Sequence, residues 1–150
     1  MKKFVFTLET VAKYKATVEK KQKADLARII AKLNALYEER DYILEAMANN
    51  AASLLLALEE QRDLVQELKR HDNYQRRLRE WQADVRQQIA TAEVEKKRLQ
   101  ALLIVTMKEI RTLERIRADE YQVYLAEVRK EENLVIGDII AYKSSAAGAQ

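Results

Sequence analysis

The sequence predicts an all-α fold: an antiparallel two-helix coiled-coil hairpin, drawn out as a long rod, with the second helix longer than the first. Three observations carry this. The 150 residues include only two glycines and no proline, and turns draw mostly on Gly, Pro, Asn, Asp and Ser, so the chain reverses very few times. Charged residues make up 34 % of the chain, and most of the remainder are strong helix formers, the composition of a coiled coil or long helix. Apolar residues return every three or four positions over long stretches, with charges filling the positions between. Such a chain buries a narrow seam rather than a thick core, yet its apolar share of 48 % is too high for a disordered polar tract.

At the start, Phe4, Phe6 and Leu8 alternate. That pattern fits either a short extended lead-in or a first helical turn whose aromatics staple the helix start. From Thr10 a helix is expected. Val11 and Val18, with Lys15 between them, open its seam weakly. Leu26, Leu33, Met47 and Leu54 then share one heptad position, interrupted by Arg40, and Ile29, Leu36 and Ile43 lie three positions later. Ile30, Tyr37, Leu44, Ala51 and Leu58 add a flanking row, so the apolar face is wider than a strict dimeric zipper needs. Arg40 either lays its stem over the seam or fixes the register.

Three places carry break signals: Asn49-Asn50 with Ser53, Asp63 with Gln66, and His71-Asp72-Asn73. One main turn is expected, within residues 49–63. The second helix follows from about Leu64. Leu78, Val85, Ala92, Leu99 and Leu113 share a heptad position, with Thr106 between. Trp81, Leu102 and Ile116 sit three later and Ile89, Leu103 and Ile110 four later, so the buried face is expected to drift. From Lys108 to Lys143 runs the longest stripe, ending in Val128, Val135, Ile139 and Tyr142. Residues 143–150, KSSAAGAQ, are small and polar and are expected to form a disordered tail. Helices of about 45 and 80 residues would measure roughly 70 and 120 Å. The longer would overhang the shorter, and its exposed stripe calls for another protein.

Little in the chain suggests reaction chemistry. Cysteine is absent, so there is no disulfide and no thiolate metal site. The single histidine, His71, stands among charged residues and reads as a surface residue. The acid pairs Glu38-Glu39, Glu59-Glu60 and Glu131-Glu132 are adjacent and therefore diverge around a helix. General acid–base work needs carboxylates held across a pocket, and neither a phosphate-binding glycine loop nor a His/Cys ligand set is present. The chain is expected not to be an enzyme, with no catalytic residue, cofactor or metal. The net charge is only +3 and acids interleave with the bases, so nucleic acid is not an expected partner. No apolar run approaches the roughly 18 residues of a membrane span, and the N-terminus becomes charged too soon for a signal peptide. A soluble cytoplasmic protein is expected.

Two features invite partners. Tyr37, Tyr42, Tyr74, Tyr121, Tyr124 and Tyr142 are many for a thin coiled coil, and exposed tyrosine and tryptophan serve as interface anchors. Tyr74, Leu78 and Trp81 fall at i, i+4 and i+7 on one face, a row that is either core or contact. The basic groups Lys13, Lys15, Lys20, Lys21 and Lys23, and Arg111, Arg115 and Arg117, read as solvated faces. The strongly basic first thirty residues would also suit an acidic partner.

Taken in order, these motifs resemble a known family. The opening MKKFVFTLETVAKYKATVEKKQKADLARIIAKL, with its Phe4-Val5-Phe6-Thr7-Leu8 lead-in, is similar to the start of the flagellar export protein FliJ family. VQELKRHDNYQ resembles the family's stretch around a Tyr-Gln pair, here Tyr74-Gln75. LERIRADEYQVYLAEVRKEE, followed by IGDIIAYK, resembles its closing helix. The resemblance spans nearly the whole chain. It departs at Gly137-Asp138, where the family usually has two acids, at Arg77, where an aromatic often follows Tyr-Gln, and at residues 49–63, which lack a glycine-rich turn. The resemblance implies a non-enzymatic, stalk-like hairpin of the flagellar type III protein export apparatus, present as an elongated monomer. Such a hairpin inserts into the ring of the export ATPase, promotes its assembly and activity, and contacts the cytoplasmic domain of the export-gate protein FlhA and the export chaperones. It implies a cytoplasmic location, peripheral to the inner membrane at the flagellar base. The candidate ring contacts are Lys13, Lys15, Arg111, Arg115, Arg117 and Tyr121; the candidate gate contacts are Tyr42, Tyr74, Leu78 and Trp81. The alternatives are the equivalent stalk of a virulence injectisome and a self-associating structural coiled-coil scaffold.

Overall fold

The computed structural model describes residues 2–149. Among them it contains two helices and no strand: α1, Glu9–Glu59, of 51 residues, and α2, Leu64–Ala147, of 84 residues. They pack against each other as an antiparallel helical hairpin.

The reversal occupies Glu60–Asp63. The Arg62 N–H donates to the Ala57 carbonyl and the Gln61 N–H to the Leu58 carbonyl, both at 3.3 Å. These are the two bonds of a Schellman closure, which satisfies carbonyls that the helix end would orphan. The closure needs a left-handed residue, and Gln61 supplies it at φ 53°. Asp63 precedes α2, its carbonyl accepting the Glu67 N–H at 3.0 Å. The other two break signals do not interrupt anything: α1 is helical through Asn49, Asn50 and Ser53, and α2 through His71, Asp72 and Asn73. At the far end α2 remains helical to Ala147, so most of the expected tail is helix instead. Small residues such as Ala and Ser do not oppose helix where a long helix already runs.

The structure falls into two compact units, residues 21–103 and residues up to 20 together with 104 onward. In the 21–103 unit the seam is thin. Leu33, Leu36 and Ala92 form one buried cluster, with Ile29, Tyr37 and Ile89 against it. Ile43, Leu78 and Val85 form the second, with Ala46, Met47 and Ile89 against it. From His71 on, the covered seam positions of α2 alternate by four and three, at His71, Gln75, Leu78, Gln82, Val85, Ile89, Ala92, Lys96, Leu99 and Leu103, with Glu95 half-covered beside Lys96. That is a strict 3.5-residue repeat. The expected drift is absent here, because Trp81 and Leu102 flank the seam at 37 % and 43 % exposure rather than entering it. Arg40 is also exposed; its guanidinium lies 5.1 Å from the Tyr37 ring centroid.

In the other unit the chain before α1 is extended rather than helical. Phe4 is half-buried, Val5 exposed, Phe6 buried and Thr7 exposed, the alternation of an extended strap. The strap crosses α2. The Phe4 ring lies 5.2 Å from Tyr121 and 5.6 Å from Tyr124. The Tyr124 hydroxyl donates to the Lys2 carbonyl at 2.8 Å. The Thr7 N–H and hydroxyl both donate to Glu120, at 3.1 and 3.0 Å. Below the strap, Lys15 pairs with Glu109 at 2.5 Å and Glu9 with Arg117 at 3.2 Å.

Candidate interaction surfaces

Three surfaces stand out. The first is aromatic and lies in the 21–103 unit. The Tyr42 and Trp81 rings pack across the two helices at 5.8 Å, and the Trp81 indole N–H donates to Glu39 at 2.6 Å. This bond fixes the ring at the margin of the seam with one face outward. Tyr42 is 60 % and Tyr74 44 % exposed. A groove of about 340 Å³ lies between the two tyrosines and is floored by Ala46, Asn49 and Asn50. The sequence row Tyr74–Leu78–Trp81 therefore splits. Tyr74 and Trp81 are available to a partner, whereas Leu78 is 3 % exposed and packs on Ile43 and Val85. Leu78 is core.

Beside this groove lies a polar layer that sequence reading missed. Asn50 donates from Nδ2 to the His71 carbonyl at 3.1 Å and to Gln75 Oε1 at 3.0 Å, and its Oδ1 is 2.6 Å from His71 Nδ1. His71 Nε2 faces Glu67 at 3.4 Å, and the two side chains are only 13 % and 12 % exposed. Read from sequence, Asn50 is a breaker and His71 a surface residue. The structure overturns both readings, because each occupies a seam position where it meets the other. The signal that could have found them is the heptad phase itself: Asn50 falls seven after Ile43, and His71 seven before Leu78.

The second surface, in the other unit, gathers the candidate ring residues. Arg117 is held between Glu9 and the Phe6 ring, 5.5 Å from its centroid. Tyr121, 43 % exposed, packs on Phe4 and Tyr124. Lys15 is tied to Glu109. Lys13, Arg111 and Arg115 are exposed. The strap thus brings Arg117 and Tyr121 into one aromatic and basic collar.

The third surface is the end of α2. Beyond Val128 every described residue is exposed. Leu134, Val135, Ile136, Ile139, Ile140 and Tyr142 are between 51 % and 75 % exposed. Apolar residues here cover about two thirds of the helix circumference instead of lining one stripe, as in a helix that is enclosed on several sides. A further apolar set, Leu55, Leu56, Leu64, Val65 and Leu68, borders the α1–α2 turn at 44 % to 62 % exposure.

Among the described residues no three His, Cys, Asp or Glu side chains converge on a point. No helix of the described residues is long and apolar enough to cross a membrane. Hydrogen bonding to Arg98, at 2.6 and 2.9 Å, holds the Glu95 carboxyl below its ordinary range. A hydrogen bond to Glu93 at 2.8 Å raises the Tyr37 phenol. What the fold and these surfaces define is a two-helix coiled-coil hairpin with exposed apolar and aromatic contact areas. Comparison of the chain with protein-family models, with curated proteins and with solved structures returns no match.

Proposed function

We propose that this protein is the non-enzymatic stalk component of a flagellar type III export apparatus. In this reading the paired chain ends enter the ring of the export ATPase and promote its assembly and turnover. The observation that carries the proposal is the exposed apolar end of α2, Leu134–Tyr142. It lies on the same helix and in the same unit as the collar of Arg117, Tyr121 and Phe4. A helix with apolar residues over most of its circumference gains little by staying in water, and burial is favourable by about 25 cal/mol per Å² of apolar surface. Enclosure by a ring offers that burial on every side at once, which a single flat partner does not. Tyr42, Tyr74 and Trp81 form a separate aromatic area for the cytoplasmic domain of the export gate, and the export chaperones complete the set of partners. The reading places the chain in the cytoplasm, peripheral to the inner membrane at the flagellar base.

The test is co-purification with a cognate export ATPase, followed by measurement of its turnover with and without this chain. Stimulation that is weakened by Lys13→Glu with Arg117→Glu supports the reading. Turnover unchanged by the chain overturns it. The same exposed end favours a second reading, a self-associating scaffold. Light scattering after size exclusion separates the two, since the stalk is a monomer and the scaffold a dimer or larger. The equivalent stalk of a virulence injectisome shares the mechanism and is distinguished by its genomic neighbours.

A further inference from the structure

On α2, Arg70, Asn73, Tyr74 and Arg77 recur at intervals of three and four, so they share one stripe of the helix. They surround a hollow of about 450 Å³ that His71 and Asn50 also line. Those two half-buried residues form a fixed floor. Asn50 donates to the His71 carbonyl and to Gln75 Oε1, and its Oδ1 meets His71 Nδ1. The rim is free. Arg77, the Asn73 amide and the Tyr74 hydroxyl form no hydrogen bond or ion pair among the described residues. Arg70 stands 3.6 Å from Glu67. That is beyond hydrogen-bond range, so its donors are free as well.

Elsewhere on this helix arginines are matched by acids, Arg76 by Asp72 at 3.1 Å and Arg98 by Glu95 at 2.6 Å. The hollow differs, because two guanidinium groups line it and no carboxylate does. Two like charges facing one space repel each other unless an anion lies between them. A guanidinium presents its N–H donors as a planar fork, which takes a carboxylate in two parallel hydrogen bonds. Asn73 and Tyr74 add neutral donors on the same stripe. The floor is already ordered by the bonds of Asn50, so binding need not order it first.

A free anion would not fill the space. The hollow adjoins the groove of about 340 Å³ between Tyr42 and Tyr74, since Asn50 and Tyr74 line both. The second groove is bordered by Ala46, Asn49 and Ser53, and its one charged residue is Glu45. Together the two have the size of a ligand site, with opposite demands. One calls for an anion, and the other turns an anion away and offers tyrosine faces to an apolar side chain. Residues i and i+2 of an extended segment lie about 6.7 Å apart on one face, which is the reach from one hollow to its neighbour. We infer that this pair of hollows takes an extended acidic segment of a partner protein. Its Glu or Asp carboxylate is held between Arg70 and Arg77, and an apolar side chain two residues away packs against Tyr42 and Tyr74. The inference rests on charge and shape at this site and not on the stalk reading.

The probe is the peptide acetyl-Ser-Glu-Ser-Leu-Ser-amide, titrated to millimolar concentration into the ¹⁵N-labelled full chain at low salt. Backbone amide signals of Arg70–Arg77 and the Nε–H signals of Arg70 and Arg77 are expected to shift. The same peptide with Gln in place of Glu should bind about fivefold more weakly, the scale of an exposed ion pair. The peptide with Ser in place of Leu should also lose affinity. Arg77→Gln changes an exposed residue outside the seam and should weaken the Glu peptide about fivefold. Arg79→Gln removes the same net charge from an exposed position about 200° further around the helix, and should leave binding unchanged. The inference is overturned if no signals move or if the Glu and Gln peptides bind alike. It is overturned if Arg79→Gln weakens binding as much as Arg77→Gln, since net charge rather than the hollow is then at work. It is also overturned if inorganic phosphate at the same concentration shifts these signals as far as the peptide does, or if they shift with chain concentration alone. The occupant is then a free anion in the first case and a second copy in the other.

Discussion

Replacing Ile43 with alanine tests the claim that a narrow seam holds this hairpin. Ile43 is 0 % exposed and sits between Leu78 and Val85 on the opposite helix, with Met47 and Ala46 beside it. The change deletes three carbons. At about 0.8 kcal/mol per buried methylene, the lost transfer free energy is about 2.4 kcal/mol. A cavity term adds about 24 cal/mol per Å³ of space that fails to close. Two helices with no third layer can move together, so the remaining void is small and the total comes to about 3 kcal/mol, in the lower part of the range for such deletions. The assay is urea unfolding followed by helical circular dichroism, read as a shift in midpoint at constant slope. Ile140→Ala removes the same atoms from a residue 59 % exposed and should cost less than about 0.5 kcal/mol. If the two variants lose similar stability, the seam is not where the structure puts it.

Other substitutions test local arguments. Gly137→Ala should stabilise by about 0.5–1 kcal/mol, since it lies inside α2 and an added Cβ meets nothing within 4 Å; thermal unfolding reads the change. Gln61→Gly should stabilise by roughly 0.5–1 kcal/mol, because Gln61 holds the left-handed position of the turn at φ 53°, and a fall in melting temperature would refute it. Glu95 should titrate below an ordinary carboxyl, because hydrogen bonding to Arg98 depresses it. Its small contribution is therefore present above the unfolded pKa and lost as pH falls through the folded one. Arg98→Ala should move that titration upward, as carboxyl NMR would show. Asn50→Leu should cost about 1–3 kcal/mol, because it strips His71 Nδ1 and Gln75 of their cross-helix partner.

The hairpin was legible because its physics is periodic. Leu33, Leu36 and Ile43 on α1, and Leu78, Val85, Ala92 and Leu99 on α2, are buried at the heptad positions they occupy in the sequence. Trp81 and Leu102 misled because hydrophobicity records what a residue can bury, not which side of the seam it reaches. The turn was less legible. Glycine and proline mark most turns, but here the left-handed residue is a glutamine, and the hydrogen bonds of the closure compensate for its strain. The tail misled in the opposite sense, since lysine, serine and alanine continue a helix that already runs. Of the contact surfaces, the aromatic row was half legible. Tyr74 and Trp81 are exposed and Leu78 is not, and one face at i, i+4 and i+7 spans both the edge and the centre of a seam. The strap's hydrogen bonds to Tyr124 and Glu120 join residues more than a hundred positions apart, and no local pattern records such pairs.

The polar residues in the seam complete the account of how one register is chosen. Apolar side chains on a 3.5 repeat are nearly interchangeable: sliding α1 by seven residues along α2 still sets Leu and Ile against Leu and Val. What that slip cannot keep is the layer of Asn50 with His71 and Gln75. One heptad away, Asn50 would face Leu78 with its amide unpaired, and Ala57 would face His71. Each polar group left unsatisfied in a largely covered site costs about 1–3 kcal/mol, so a slip that loses all three partners is opposed by several times the energy of a single seam contact. A buried polar position giving up some stability to fix alignment is the best-attested use of such residues in coiled coils. The layer lies four helical residues or more from the turn on both helices. It therefore sets the register independently of the strained closure at Gln61, and it holds Tyr42, Tyr74 and Trp81 in a fixed mutual arrangement on the face beside it.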